Sequence, residues 1–374
     1  MFRVLLTALF LSFILKSQEA GPPATVEQMF QRAVDAQQSG DFEAAVRAYR
    51  ALLQRDPGLT DARANLAAAL VHLGRFDEAI AEYQSALKQD PSNDAIRLNL
   101  SLAFYKKGDY KTASQELERL YGKDPANARI ATLLADCYSR LGNDPKAISI
   151  LEPIESKHPG DLDLEYVLGS ALVRGGKSSQ GVPLLEHVAS QGKSADAYLL
   201  AGGALLKMDE RDRALADLQT AVQLNPNLPG VYTQLGIAKE ASGDTAGAEE
   251  DLRKAIQQKP NDFEATVHLG GVLYSRRDLD NARIYIEKAL SLRPDSTFAK
   301  YEMALLKSAT GQVEAAVSDL ETIEHSDPNW LDPHVRLAAL YYKVNRPADG
   351  QRERDIVDKL TAEQQKQGPT PPPR

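Results

Sequence analysis

The sequence predicts an all-α fold, an α-solenoid in which short helices stack as antiparallel pairs along one array. Three observations predict it: a fixed spacing of prolines, small residues at two fixed positions between them, and a turn signal midway. Because these features recur through most of the 374 residues, the chain is better divided into repeats than into globular domains. An aromatic content of 6% fits helices that bury mainly alanine and leucine.

The prolines define the length of the repeat. Eight of them are separated by 34 residues in six intervals and by 67 in one, and 67 is one repeat of 34 plus one of 33. When this proline is counted as position 32, ten repeats begin at Val26, Thr60, Asp94, Ala128, Leu162, Ala195, Pro229, Phe263, Thr297 and Leu331.

Positions 8 and 20 of every repeat hold a small residue. Position 8 is Ala33, Ala67, Ser101, Ala135, Gly169, Gly202, Gly236, Gly270, Ala304 and Ala338. Position 20 is Ala45, Ala79, Ala113, Ala147, Gly181, Ala214, Ala248, Ala282, Ala316 and Gly350. Side chains this small, repeated at one position, indicate two helices whose backbones lie very close together.

A turn is predicted between those two positions. Seven repeats have a glycine there, the residue that most easily takes the left-handed conformation ending a helix, and the sites are Gly40, Gly74, Gly108, Gly142, Gly176, Gly243 and Gly311. Asp209, Arg277 and Asn345 are the exceptions. Each repeat therefore reads as helix, turn, helix and proline.

This pattern resembles the tetratricopeptide repeat family over ten consecutive units, from Val26 to about Gln364. The second repeat carries the family's signature in full, as Leu66, Ala67, Leu70, Ala79, Tyr83, Ala86 and Pro91. The resemblance implies a right-handed superhelix whose first helices line a concave groove. It also implies a role in binding proteins or peptides.

The ends of the chain differ from the repeats. Residues 1–20 are predicted to be an export signal, because Arg3 precedes a charge-free run of twelve residues, Val4–Leu15, which is short for a membrane span. An uncleaved membrane anchor is the alternative. Residues 21–25 are predicted to be a linker, and 365–374 a disordered, proline-rich tail. The mature chain is expected to be periplasmic or secreted, without a membrane span.

The fifth repeat, 162–194, is degenerate. It lacks its proline, is one residue short, and has Gly181 at position 20 and Pro183 early in its second helix, while Pro153 lies in the helix before it. Proline inside a helix costs about 3 kcal/mol. We therefore expect a softer joint between repeats 1–4 (26–161) and repeats 6–10 with a C-terminal capping helix (195–364).

Composition argues against several functions. The net charge of −8 makes nucleic acid an unlikely partner class, and a single cysteine excludes an internal disulfide and multi-cysteine metal sites. The repeats leave no room for a catalytic domain, and the six histidines form no HExxH motif. We expect no enzymatic activity, no cofactor and no metal.

The groove is expected at positions 2, 6, 9 and 13, which point away from the buried stripe of the first helix. At position 6, Asn65 and Asn99 offer amides that could pair with an extended peptide. Leu133, Val167 and Leu200 interrupt this row of amides further along. The alternative, an ordinary polar surface in contact with water, therefore stays open for the two amides.

Position 13 carries a cation in four consecutive repeats: Lys106, Arg140, Arg174 and Lys207. This row favours an acidic peptide or a carboxylate as the partner. The alternative is structural, because cations in the last turn of a helix are stabilised by about 0.3–1 kcal/mol in any case.

The predicted function is a non-enzymatic scaffold that binds a protein or peptide in its groove, outside the cytoplasm. Two alternatives stay open: a structural protein that assembles with itself, or an accessory subunit of an envelope machine for secretion or polysaccharide export. The oligomeric state is left open by the sequence.

Overall fold

The computed structural model describes residues 24–367, with side-chain detail up to residue 363. The predicted export signal and residues 368–374 of the tail lie outside the described residues. Within residues 24–367 every regular element is a helix, which confirms the all-α prediction. The chain divides into two compact units, one ending at Asp124 and one beginning at Pro125.

The first unit holds three helix pairs. Its helices are α1 Val26–Gln38, α2 Phe42–Arg55, α3 Thr60–His72, α4 Phe76–Gln89, α5 Asp94–Lys107 and α6 Tyr110–Tyr121. Successive helices pack on each other within the unit, so each pair is stacked on the next.

The second unit holds seven helix pairs, again with each helix packed on the next. Its helices are α7 Ala128–Arg140, α8 Asp144–Glu155, α9 Leu162–Arg174, α10 Ser178–Gly192, α11 Ala195–Lys207, α12 Arg211–Leu224, α13 Val231–Ala241, α14 Thr245–Gln258, α15 Phe263–Ser275, α16 Leu279–Leu292, α17 Thr297–Ala309, α18 Val313–Ser326, α19 Leu331–Lys343 and α20 Pro347–Gln367.

All ten predicted turn residues take the left-handed conformation. The seven glycines do so, and the exceptions Asp209, Arg277 and Asn345 do so as well, with φ of 59°, 66° and 60°. Some helix starts have a side-chain cap: Asp262, for example, accepts a hydrogen bond from the Ala265 backbone N–H at the start of α15. The left-handed conformation is therefore kept at this position of every repeat, even where the residue is not glycine.

Small residues at positions 8 and 20 lie in the contact between the two helices of a repeat. A Cβ atom added at Gly202 would lie 2.6 Å from Leu218 Cγ, and one at Gly270 would lie 2.6 Å from Ile286 Cγ1. Ala214 and Ala282, on the facing helices, are fully buried. The paired helices approach so closely that a methyl group does not fit at these glycines.

The two helices of the fifth repeat make the closest backbone contact of this kind. Glycine stands on both sides, and a Cβ at Gly181 would lie 2.6 Å from the Gly169 carbonyl oxygen. Helix α10 continues through Pro183, and α8 includes Pro153 near its end. The division between the two compact units falls at Asp124, upstream of this repeat. A softer joint at residues 152–194 stays a prediction.

The last helix is longer than expected. The predicted capping helix ends at about Gln364, whereas α20 continues to Gln367, because residues 364–367 are all good helix formers and the Gly-Pro stop follows only afterwards. A tail can therefore begin only after Gln367. Within residues 24–367, no helix combines the length and the apolar character needed to cross a bilayer.

Candidate functional site

The second unit contains a groove of about 1070 Å³, bounded by helices of repeats 5 to 8. The end of α9, the middle of α11 and the first turns of α13 and α15 line it, together with the loops that precede α13 and α15. Apolar surface comes from Leu199, Leu200 and Phe263, and Gln234 contributes an amide. Four consecutive repeats thus face one continuous space.

Gly203, at position 9 of the sixth repeat, leaves bare backbone on the groove wall. A Cβ added there would meet only the end of the Gln234 side chain, at 3.4 Å from its Oε1, which is an ordinary contact. Its neighbour Gly202 faces the opposite way, into the core. One helix therefore uses two adjacent glycines for two different purposes.

The charges on the groove wall are mostly positive. Four cationic side chains line it, Arg174, Lys207, Lys259 and Arg293, against the two carboxylates of Asp262 and Glu264. The Arg293 guanidinium lies over the Phe263 ring, 4.3 Å from its centroid. In a chain with a net charge of −8 this local excess of positive charge favours an anionic ligand.

The predicted amides at position 6 lie in the first unit, and they differ from each other. Asn65 is half-buried and hydrogen-bonds with the Tyr49 hydroxyl, which partly offsets the rise in the Tyr49 pKa that burial causes. The same hydroxyl donates to Gln37 Oε1 at 3.0 Å. Asn99 is exposed on α5. Asn65 therefore helps to join two helix pairs, whereas Asn99 faces solvent.

The predicted cation row is divided between the two units. Lys106 is exposed in the first unit, and the other three cations lie in the second. Arg174 and Lys207 both line the groove. Arg140 pairs with Asp136 one turn back on its own helix, with an Nε–Oδ2 distance of 2.8 Å.

Arg174 also has a structural partner. Its Nε donates to Asp144 Oδ1 and Oδ2 at 3.1 and 3.2 Å, and its Nη2 donates to Oδ1 at 3.0 Å. Asp144 is the first residue of α8 and its side chain is 13% exposed. Arg174 thus ties the fifth repeat to the fourth, and Lys207 is an exposed cation on the groove wall.

Sequence reasoning did not select a second polar cluster, on the first helices of repeats 7 to 9. His268 Nδ1 lies 2.7 Å from Glu240 Oε2, and Glu302 is 7% exposed beside them. Burial, followed by the charge of Glu240, raises the pKa of Glu302 to about 7. The available signal was position 6, which reads Gln234, His268, Glu302 and Arg336 in the last four repeats.

Among the described residues, one group has the composition of a metal site. Ligand atoms of Glu324, His334 and Glu353 lie within 4.8 Å of one another. Both ring nitrogens of His334 are already engaged, Nδ1 with Glu353 Oε2 at 2.7 Å and Nε2 with the Pro328 carbonyl oxygen at 3.0 Å. The contact of His334 with Glu353 joins α19 to α20.

Family models described as "Tetratricopeptide repeat" match most of the array: residues 36–98, 74–120 and 104–171, residues 195–228, and residues 233–297. The chain belongs to the tetratricopeptide repeat family. The crystal structure of a tetratricopeptide repeat protein from Parabacteroides merdae ATCC 43184 has the same fold, with a TM-score of 0.52 and 18% identity, over 66% of this chain and 98% of that one.

Relatives of known name share only part of their length with this tetratricopeptide repeat protein. Human protein O-mannosyl-transferase TMTC1 is 30% identical over 123 residues, which are 32% of this chain and 14% of the transferase. The Arabidopsis thaliana E3 ubiquitin-protein ligase CHIP is 34% identical over 84 residues, which are 22% of this chain and 30% of the ligase. The similarity concerns less than a third of either relative.

Proposed function

We propose that the protein is a non-enzymatic scaffold that holds an extended segment of a partner protein in the groove of the second unit. The observation that carries the proposal is the groove itself, because four consecutive repeats present one space of about 1070 Å³ that bare backbone at Gly203 keeps open. Concave spaces of about this size are typical ligand sites.

The groove's chemistry specifies what the segment should contain. Lys207 supplies an exposed ammonium. Arg174 also lines the groove, and part of its hydrogen-bonding capacity is taken up by Asp144. Leu199, Leu200 and Phe263 offer apolar contacts, and the Gln234 amide is suited to a backbone group. We expect a ligand with an acidic residue next to an apolar one.

Selection of a displayed random peptide library against the full chain tests this proposal. Selected peptides should be enriched in Asp or Glu, and Lys207→Glu should weaken their binding by about tenfold or more, since it replaces an attraction by a repulsion. Lys300→Glu is the matched control, because Lys300 is exposed in the same unit but does not line the groove. Equal binding by the two variants would overturn the proposal.

Light scattering distinguishes a self-assembling protein from a scaffold that binds a partner. A scaffold of this kind is expected to keep one mass across a wide range of concentration while still binding the selected peptides. Growth of the mass with concentration, together with failure to select any peptide, would favour a structural role instead.

We also propose that the protein acts outside the cytoplasm, in the periplasm or as a secreted chain. The support is the sequence of residues 1–20, a charge-free run of twelve after Arg3. Cell fractionation with and without these residues tests it, and an unchanged distribution would contradict the proposal.

A further inference from the structure

Position 31 lies between the second helix of a repeat and its proline, and in four repeats its side chain supports the turn that follows. There an Asp or Asn oxygen accepts a hydrogen bond from the backbone N–H two residues further on, at distances of 3.0–3.4 Å. The four residues are Asp56, Asp90, Asn225 and Asp327. In these repeats the position has a structural use that needs a hydrogen-bond acceptor.

Repeats 7 and 8 carry a cation at this position instead, Lys259 and Arg293. The backbone is unchanged, since φ is −137° and −139° at the two cations and −138° at Asp56. Neither cationic side chain has an acceptor atom, so both turns lack the side-chain hydrogen bond. The geometry of the turn therefore does not account for the two cations. A general preference for cations at helix C-termini is the competing explanation.

Both cations line the groove of the second unit, and both contact residues at the start of α15. The Lys259 Nζ lies 3.7 Å from Asp262 Oδ2, and the lysine side chain is 72% exposed. The Arg293 guanidinium lies over the ring of Phe263, and Arg293 is exposed as well. Because both side chains are exposed on the wall of the groove, a ligand lying there can reach them without any movement of the chain.

Arg293 has its ring contact but no ion pair. Among the described residues, no carboxylate pairs with it. The two carboxylates on the groove wall have other partners: Asp262 Oδ1 accepts from the Ala265 backbone N–H at 3.1 Å, and Glu264 Oε2 lies 3.5 Å from Gln234 Nε2. A guanidinium over an aromatic ring still has its N–H groups at its edge for an acceptor.

We propose that Arg293 and Lys259 form a carboxylate-binding subsite at the start of α15, distinct from the cation Lys207 in the same groove. A guanidinium binds a carboxylate through two parallel N–H bonds, and the lysine adds a point charge. Asp262 and Glu264 reduce the local positive charge, so the subsite suits a singly charged carboxylate better than a doubly charged phosphate.

The carboxylate comes from an acidic side chain of the partner segment or from the C-terminus of that segment. The inference rests on the proposed function and deepens it, because it adds a second acidic group to the expected ligand. With Lys207 on α11 and Arg293 after α16, the two acidic groups should lie apart along the segment, with apolar residues between them.

The test uses the full chain and peptides selected from a displayed random library. Arg293→Asp should weaken the selected peptides by about tenfold or more, because it replaces an attraction by a repulsion. In a double-mutant cycle, each acidic residue of the peptide is replaced in turn by its amide, and one of these changes should have little further effect in Arg293→Asp. Peptides with a free or an amidated C-terminus distinguish the two sources of the carboxylate.

Arg293→Asp is also a variant that should fold well. It places at position 31 the residue type that accepts a turn hydrogen bond in three other repeats, so its urea midpoint should be no lower than that of the original chain. Lys300→Asp is the control, since Lys300 is exposed in the same unit but does not line the groove, and it should change neither affinity nor midpoint. Unchanged affinity with a lower midpoint would refute the subsite in favour of a role at the helix C-terminus.

The subsite and the proposed function can fail separately. Peptides that are weakened by Lys207→Glu but bind Arg293→Asp and Lys259→Asp as tightly as the original chain would overturn the subsite and leave the groove as the binding surface. Failure to select any peptide would overturn both. Loss of affinity in Arg293→Asp and in Lys259→Asp, with unchanged binding to Lys300→Asp, is the result that we expect.

Discussion

Gly202 and Gly203 are adjacent on α11 but have very different surroundings. Gly202 faces α12, where even a methyl group would be 2.6 Å from Leu218, whereas Gly203 faces an open groove. Gly270 and Gly271 repeat the arrangement on α15, with Ile286 on one side and two carboxylates on the other. Small residues at position 8 serve stacking, whereas the glycine at position 9 of the sixth repeat leaves bare backbone on the groove wall.

The largest expected effect comes from substituting each glycine of the first pair by leucine. Gly202→Leu overpacks the helix contact and should cost about 1–3 kcal/mol of stability. The leucine side chain of Gly203→Leu extends into the groove. Because glycine is unfavourable inside a helix, this variant should be as stable as the original chain or more stable by about 0.5–1 kcal/mol. Urea unfolding followed by circular dichroism compares them. Equal losses would remove the distinction between the two faces.

The buried carboxyl of Glu302 should make the stability of the chain depend on pH. Its pKa of about 7 lies above the ordinary 4.5, so the folded state keeps this carboxyl protonated up to a higher pH than the unfolded state does. Stability should therefore fall as the pH rises from about 4.5 to 7. Glu302→Gln should be the more stable chain at pH 8, by about 1–3 kcal/mol, with little difference at pH 4. Thermal melts at the two pH values check this, and a gain independent of pH would contradict it.

The two arginines at position 13 should give smaller and unequal effects. Arg174→Gln leaves the mostly buried Asp144 with the Ser139 hydroxyl but without its guanidinium partner, and should cost about 1 kcal/mol. Arg140→Gln breaks an exposed pair one turn apart on the same helix and should cost about 0.3–0.5 kcal/mol. Thermal melts at low salt resolve the difference. The reverse order would show that the Asp144 contact contributes little to stability.

The sequence alone predicts the structural features that recur in every repeat. Positions 8 and 20 and the left-handed turn recur ten times, so their spacing alone located the helix contacts, including the turn at Asn345. The repeat pattern predicts that positions 2, 6, 9 and 13 face the groove, but it does not predict which residues shape the groove, because those residues occur only once or twice. Gly203 and Gly271 stand at a position with no family pattern, and the contact of Arg174 with Asp144 joins residues 30 positions apart.

The repeat pattern also does not predict which side chains at one position are engaged by other residues. A row of side chains at one repeat position predicts a shared direction, but the partners of each side chain, on the same helix or in an adjacent repeat, decide how it is engaged. Asn65 is engaged by Tyr49 and Arg140 by Asp136. The burial of Glu302 depends on helices from three repeats, which position counting does not reveal.

The most direct test of the account measures binding of a library-selected peptide to Gly203→Leu alongside its unfolding midpoint. We predict a loss of affinity of about tenfold or more, with a midpoint no lower than that of the unmodified chain, because the new side chain occupies the groove and touches no core atom. Undiminished affinity in a folded Gly203→Leu chain would contradict the claim that this groove is the binding surface.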